Sequence, residues 1–372
     1  MFSELRNQLM QYKDWFFMAY FLPLTGCVAM GVSSAHIVYK LCFLLGVLFL
    51  AVKVWLTDYE KYEIINMMFF MALLGYVFFR TREKSLIVTT VTIFGCKNVD
   101  IRRVLKYTLF VYIIGVSVRM GLSWFNILPG EYHLLSKFTG KKLIYDFGFS
   151  HPNSAYNHIF MIIIMIIAVW QDKVLWYHYI LMSIAMVLFY KLFYSRTGIL
   201  IYLVLCSLIL TQSCVKNNKI RNVLGTFYLL VPLITAILSF LLLLLYPFHI
   251  SYIDKLNEYL SGRIYISYNV VRFVGVHWFG SIDRSWTNKC YIDNAYINLL
   301  INFGILIIII FIIFNLVSAI YYWKNKEFYV LVLLAVMSIY AFMEYSPVNI
   351  TWNPILLFIG DGLYKSYGKQ YI

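Results

Sequence analysis

The chain has 372 residues, of which 62% are hydrophobic and only 13% are charged. A soluble domain carries about 25% charged residues, so this composition excludes a water-soluble protein and predicts a polytopic, all-α membrane protein in one domain, residues 1–372. The net charge of +14 is explained by basic residues at the cytoplasmic ends of membrane helices, where they meet anionic lipid headgroups. It does not indicate a nucleic-acid partner.

Apolar runs of helical length recur along the whole chain. Run length predicts twelve membrane helices, at residues 15–33, 36–56, 62–79, 85–96, 104–125, 155–170, 174–194, 197–214, 223–247, 292–322, 328–345 and 354–364. The fourth and the twelfth are shorter than a full crossing, so ten or eleven crossings also fit. Inverted-repeat transporters often show paired broken helices in two related halves, and the sequence shows no such signal.

Basic linkers set the predicted orientation. The short linkers rich in Lys and Arg are 97–106, 171–173, 216–221 and 324–326. The positive-inside rule places them and both termini in the cytoplasm. Two longer polar segments, about 127–153 and 248–290, then become external loops. The linker 80–84 also comes out external although it contains Arg80, so either the topology is wrong there or its cations have a function outside.

A polar segment leads into the sixth predicted helix. Pro152 stands in the first turn of that helix, which places His151 and Asn153 beside an electropositive helix start, where anions bind. A helix cap with an interfacial histidine explains the same residues. The sequence has no ATP-binding phosphate loop, no HExxH motif and no acidic metal cluster, so it predicts neither an ATP-driven engine nor a bound metal.

Charged residues near the predicted outer boundary are further candidates, because a charge beside apolar helices is costly without a partner. Arg196 lies in a tight turn between two predicted helices, and Arg263 follows Gly262 in the large external loop. A planar guanidinium suits phosphate oxygens, whereas snorkelling to headgroups is the simpler alternative for Arg196. Glu344 lies near the outer end of the eleventh predicted helix and is either functional or an exposed acid.

Short motifs in this order resemble the Wzy-type bacterial polysaccharide polymerases of the O-antigen ligase and polymerase group. The motifs are His-Pro-Asn at 151–153, Ser-Arg-Thr at 195–197, Gly-Arg at 262–263 with Gly280, Asp-Asn-Ala-Tyr at 293–296, and Glu344 with Asn353. The resemblance implies a metal-independent glycosyltransferase without a cofactor, active on the outer face of the bacterial cytoplasmic membrane. Such an enzyme moves a glycan from undecaprenyl diphosphate onto a sugar hydroxyl of another lipid-linked repeat unit.

The resemblance also implies roles in substrate binding. It maps the family's candidate functional positions onto Arg196, Arg263, His151 and Asn153. A diphosphate leaves readily once its charge is met, so fixed cations matter more than an acid that protonates an oxygen. The remaining candidate ligands are Arg80, Arg119 and Asn294.

The attacking hydroxyl group needs a base within hydrogen-bond reach. We rank Glu344 first, Asp293 second and His151 third for this role. The expected partners are lipid-linked oligosaccharides and membrane lipids, together with flippase and chain-length regulator proteins.

Three other functions stay open. A flippase or exporter of lipid-linked oligosaccharides would place cations at mid-depth, whereas these lie at the predicted outer boundary. A glycan ligase would need a histidine in the large external loop, for which His277 is only a loose counterpart. A membrane acyltransferase would need a donor site near the cytoplasmic face, where no motif with a histidine lies.

Overall fold

The computed structural model describes residues 2–137, 140–283, 285–286 and 290–368. These residues form sixteen α-helices and one antiparallel β-hairpin. The elements are α1 Phe2–Met10, α2 Lys13–Ala29, α3 Ile37–Trp55, α4 Lys61–Thr81, α5 Ser85–Gly95, α6 Ile101–Trp124, β1 Tyr132–Lys137, β2 Gly140–Tyr145, α7 Pro152–Trp170, α8 Trp176–Phe193, α9 Arg196–Cys214, α10 Asn218–Leu245, α11 Ser251–Tyr259, α12 Arg263–Val274, α13 Ala295–Phe303, α14 Ile305–Lys324, α15 Phe328–Met343 and α16 Leu357–Gly368.

The prediction of an all-α membrane protein is confirmed at this level. Among the described helices, eight are long and apolar enough to cross a membrane, judged by length and composition: α3, α4, α6, α7, α8, α9, α10 and α14. Helices α5 and α15 are apolar but shorter. The full number of crossings, the side on which each loop lies and the identity of the membrane stay predictions.

The chain divides into two compact units, residues 1–58 with 95–214 and residues 59–94 with 215–372. In the first unit, α7 is the most enclosed of the candidate spans, with 67% of its apolar window buried, against 22% for α3 and 17% for α8. The large apolar side chains that α3 and α8 leave exposed fit contact with lipid, because contiguous exposed apolar surface is rare in water.

In the second unit, α15 is the central helix. Nearly all of its residues from Phe328 to Ala341 are buried. Helix α10 packs against it on one side, and α13 and α14 pack against it elsewhere. The helix ends at Met343, so Glu344 is the first residue beyond it and has an extended backbone. This largely buried helix therefore has a carboxylate directly after its last residue.

One prediction is wrong in detail: the run 292–322 is not one helix. It forms α13 and α14, which are separated by Gly304 at φ +91°. A side chain at Gly304 would place its Cβ atom 2.3 Å from the carbonyl oxygen of Trp278, so only glycine fits the break. The backbone N–H of Ile305 donates to the carbonyl of His277 over 3.0 Å. The segment before α13 therefore occupies the gap between the two helices.

Both predicted external loops contain regular structure. The first holds the hairpin, in which Tyr132 pairs with Tyr145 and Lys137 pairs with Gly140. The second holds α11 and α12. The sequence did not predict these elements, because we located helices by the length of apolar runs and the apolar stretches here are short and interrupted by polar or charged residues.

Candidate functional site

Three charged side chains meet in the second unit. The Nε atom of Arg263 lies 2.7 Å from Oδ2 of Asp293, and its Nη2 atom lies 2.9 Å from Oε1 of Glu344. Its remaining nitrogen, Nη1, donates to the carbonyl oxygen of Met343. One guanidinium therefore joins two carboxylates that are 51 residues apart in sequence, at positions 293 and 344.

Helix ends position all three side chains. Arg263 is the first residue of α12 and follows Gly262, which caps the helix at φ +80°. Asp293 directly precedes Asn294, the N-cap of α13. Glu344 directly follows α15, and its backbone N–H still donates to the carbonyl of Tyr340 over 2.8 Å. The cluster thus lies where three helices begin or end.

Asn294 connects the helices that form the site through hydrogen bonds. Its Oδ1 atom accepts hydrogen bonds from the backbone N–H groups of Tyr296 and Ile297, at 3.0 and 3.1 Å. Its Nδ2 atom donates to Oγ of Ser239 at 2.9 Å and to the carbonyl of Phe342 at 3.1 Å. These four bonds use the full capacity of an asparagine side chain. The observed role of Asn294 is to tie α13 to α10 and to the end of α15, and its role as a substrate ligand stays a prediction.

The charges in the cluster do not balance. Relative side-chain exposure is 18% for Arg263, 29% for Asp293 and 10% for Glu344, so one cation faces two largely buried carboxylates. Burial raises the pKa of Glu344 to about 7; Arg263 opposes this rise and Asp293 adds to it. Burial also raises the pKa of Asp293, again against the effect of Arg263. A carboxylate that titrates near neutral pH is well suited to accept a proton.

A small, open cleft lies beside Arg263 and the end of α15. Arg263 and Asn294 contribute polar groups to its wall. Most of the other lining residues are apolar, among them Leu243, Ile264 and Phe342. The cleft therefore presents a largely apolar surface next to Arg263.

Arg80 also lies in the second unit, where it binds backbone. Its Nε atom donates to the carbonyl oxygen of Gly280 over 3.1 Å. Gly280 has φ +76°, and the next residue, Ser281, donates its N–H to the carbonyl of Ile301 over 2.8 Å. Arg80 thus anchors on α4 the segment that fills the break at Gly304. This contact gives Arg80 a structural role, which explains a cation that does not follow the positive-inside rule. Binding of diphosphate by Arg80 stays a prediction.

In the first unit, His151 caps a helix. Its Nδ1 atom accepts the backbone N–H of Asn153 over 3.1 Å at the start of α7. This is the arrangement that the simpler of the two sequence explanations expects. Asn153 is partly buried beside it. Roles for these two residues in proton transfer or anion binding stay predictions.

The sequence reading missed a histidine that pairs with a buried aspartate. Oδ2 of Asp146 lies 2.9 Å from Nε2 of His133 on β1, and its Oδ1 accepts the N–H groups of Glu131 and Gly148 at 2.9 and 2.7 Å. The ring of His151 lies next to that of His133, with 5.3 Å between centroids. Gly140, the first residue of β2, is a hairpin signal that could have brought β1, and with it His133, beside the end of β2, which Asp146 follows.

Two further arginines that the sequence predicts as substrate ligands lie in the first unit. Arg119 on α6 donates from Nε to the carbonyl oxygen of Gly148 over 3.0 Å, which holds the turn before α7. Arg196 is the first residue of α9 and is partly exposed. The preceding Ser195 accepts the N–H of Gly198 at 3.2 Å and so stabilises the start of that helix. Binding of diphosphate by Arg119 and Arg196 stays a prediction.

Among the residues that the structure describes, no three His, Cys, Asp or Glu side chains come together in a way that could hold a metal ion. The predicted absence of a metal or cofactor stays a prediction. Comparison of the chain with protein-family models, with curated proteins and with solved structures finds no match.

Proposed function

We propose that this membrane protein is a metal-independent glycosyltransferase of the Wzy kind, which polymerises lipid-linked oligosaccharide repeat units outside the bacterial cytoplasmic membrane. The observation that carries the proposal is the cluster of Arg263, Asp293 and the buried Glu344, with a largely apolar cleft beside Arg263. A catalytic carboxylate needs a raised pKa and a neighbour that orients it, and Glu344 has both.

The proposed step is a displacement at the anomeric carbon of the donor glycan. A hydroxyl oxygen of the acceptor sugar forms the new bond to this carbon, and the bond from the carbon to the diphosphate oxygen breaks. The proton of the hydroxyl moves to Glu344, and the electron pair of the broken bond leaves on undecaprenyl diphosphate. Diphosphate departs as an anion, so the site needs no general acid.

Arg263 and Asp293 support the base in this proposal. Arg263 holds one oxygen of Glu344 and fixes the direction of the carboxylate, as an orienting partner does in other acid–base sites. Asp293 offsets the charge of Arg263, so that the guanidinium does not fully suppress proton uptake by Glu344. Arg80, which lies in the same unit, is the candidate cation for the leaving diphosphate.

The position of the charges favours an enzyme over a flippase. A carrier of lipid diphosphate would place cations along the middle of its helices, where the headgroup crosses the bilayer. Arg263, Asp293 and Glu344 instead stand at the beginnings and ends of α12, α13 and α15. This placement agrees with the outer boundary that the sequence predicts for these three residues, where the acceptor sugar and the lipid-linked donor would meet.

The test is the glycan pattern of a deletion strain of the source organism. Loss of every chain longer than one repeat, with single repeats still on their lipid carrier outside the membrane, supports a polymerase. Complementation with wild type should restore the ladder, Glu344→Gln should not, and Glu327→Gln at the opposite end of α15 serves as the matched control. Single repeats trapped on the cytoplasmic side would instead identify a flippase and contradict the proposal.

A further inference from the structure

The guanidinium of Arg263 uses three of its five N–H donors on protein groups. Its three nitrogen atoms contact Asp293, Glu344 and the carbonyl of Met343. A diphosphate would have to displace one of the carboxylates, or approach them closely, before it could bind the same nitrogens. Two or more additional negative charges beside two buried carboxylates would be strongly repelled, because screening by water is weak there.

Each of the two carboxylates, by contrast, has one oxygen that does not bind Arg263. Oδ2 of Asp293 and Oε1 of Glu344 bind Arg263, whereas no residue in the described part of the chain donates a hydrogen bond to Oδ1 of Asp293 or Oε2 of Glu344. The side chain of Glu344 is only 10% exposed, but its second oxygen is not fully enclosed. This oxygen can therefore accept a hydrogen bond from a ligand.

Within the part of the chain that the structure describes, the surroundings of the cluster add no second positive charge. Among the described residues whose charges act on Glu344 and Asp293, Arg263 is the one cation. The neighbouring Tyr345 lies near the acid Glu83 and the phenol of Tyr291, which bring no positive charge either. The cluster therefore carries a net negative charge whenever both carboxylates are ionised.

We infer that this cluster is the subsite for the acceptor sugar, and that it selects a sugar presenting two hydrogen-bond donors, hydroxyl or amino groups, and no negative charge at that position. The inference rests on the proposed function and adds its substrate class. Two adjacent sugar donors match the two remaining carboxylate oxygens, and one of these donors is the hydroxyl that Glu344 deprotonates. The diphosphate of the donor glycan then binds at cations other than Arg263.

The first arm of the test uses farnesyl diphosphate as a soluble isoprenoid diphosphate and measures its binding to the purified full-length protein. In the acceptor-subsite account, Arg263→Lys and Asp293→Asn each change its Kd less than about threefold. If Arg263 were the diphosphate ligand, Arg263→Lys would weaken binding about tenfold or more, since a lost charge-assisted bond costs about 1.5–3 kcal/mol. Asp293→Asn would then tighten binding. Either of these results overturns the inference.

The second arm uses methyl glycosides of glucosamine, glucose and glucuronic acid as competitors of polymerisation. Glucosamine and glucose should inhibit the wild-type protein at least about tenfold better than glucuronic acid, and Asp293→Asn should narrow that difference. Equal inhibition by all three contradicts the inference while leaving the polymerase proposal intact. A wild-type protein that polymerises nothing contradicts the polymerase proposal itself. Thermal unfolding of each variant shows whether it is folded.

Discussion

The charge imbalance predicts that Glu344→Gln removes activity while leaving the fold nearly unchanged. The wild-type cluster sets one guanidinium against two carboxylates, at 2.7 and 2.9 Å. Glutamine keeps an oxygen that can accept from Nη2 of Arg263, and the Arg263–Asp293 pair that remains is balanced. We expect the free energy of unfolding to change by no more than about 1 kcal/mol, the usual net value of one hydrogen bond.

Arg263→Ala is the contrasting change. It leaves Asp293 and Glu344 without their cation, and Glu344 is only 10% exposed. Removing one partner of a buried ion pair typically costs about 3–5 kcal/mol, because the remaining charge stays buried and unpaired. The two variants of one cluster should therefore differ in stability by several kcal/mol, in the order that charge balance dictates.

Although Glu344→Gln should leave the fold nearly unchanged, it should strongly reduce activity. A positioned base contributes about 10²- to 10⁴-fold to rate, so this well-folded variant should lose polymerisation by that factor. Stability is measured by thermal unfolding of the purified protein, and rate by elongation of lipid-linked repeat units at matched protein concentration. Wild-type elongation by Glu344→Gln would refute the role as base. Destabilisation equal to that of Arg263→Ala would refute the charge argument.

Three further predictions concern pH, metal and backbone. Polymerisation should rise as pH increases through about 7, because the base must be ionised and burial raises the pKa of Glu344 to about that value. Protonated Glu344 also stabilises the fold, and this stability is lost as the pH rises towards that pKa. Asp293→Asn should move the acidic limb of the rate profile to lower pH, and an unmoved limb would argue against coupling of the two carboxylates. Elongation should survive EDTA, since the described residues show no carboxylate cluster suited to a divalent cation; full loss that Mg²⁺ restores would contradict this. Gly304→Ala should lower the free energy of unfolding by at least about 1–3 kcal/mol because Gly304 has φ +91°. The control Gly75→Ala, where an added Cβ meets nothing within 4 Å, should be neutral or mildly stabilising.

Helices that depend on local composition were predictable from the sequence. The run at 36–56 became Ile37–Trp55, and the run at 328–345 became Phe328–Met343, because unbroken apolar stretches of this length have few alternatives in a membrane. The break at Gly304 was not predictable in this way. It depends on the backbone of Trp278, which lies 26 positions earlier in the sequence, at 278 against 304, and only the folded chain brings the two together.

The candidate site was predictable residue by residue but not as an assembly. Glu344, Asp293 and Arg263 each attracted attention as charges near the predicted boundary of the membrane. Their meeting on one guanidinium requires the packing of α12, α13 and α15, which no local pattern contains. The pair of His133 and Asp146 was not predicted for the same reason, since it depends on the register of the hairpin.

The most direct test of the central claim is elongation by the purified protein alone. Full-length protein in lipid vesicles would receive undecaprenyl diphosphate-linked repeat units extracted from the deletion strain, with no nucleotide sugar and no ATP. The account predicts a ladder of products that grows by whole repeat units and stays attached to lipid diphosphate, with one undecaprenyl diphosphate released per bond formed. Intact single repeats that move across the vesicle membrane without any elongation would contradict it.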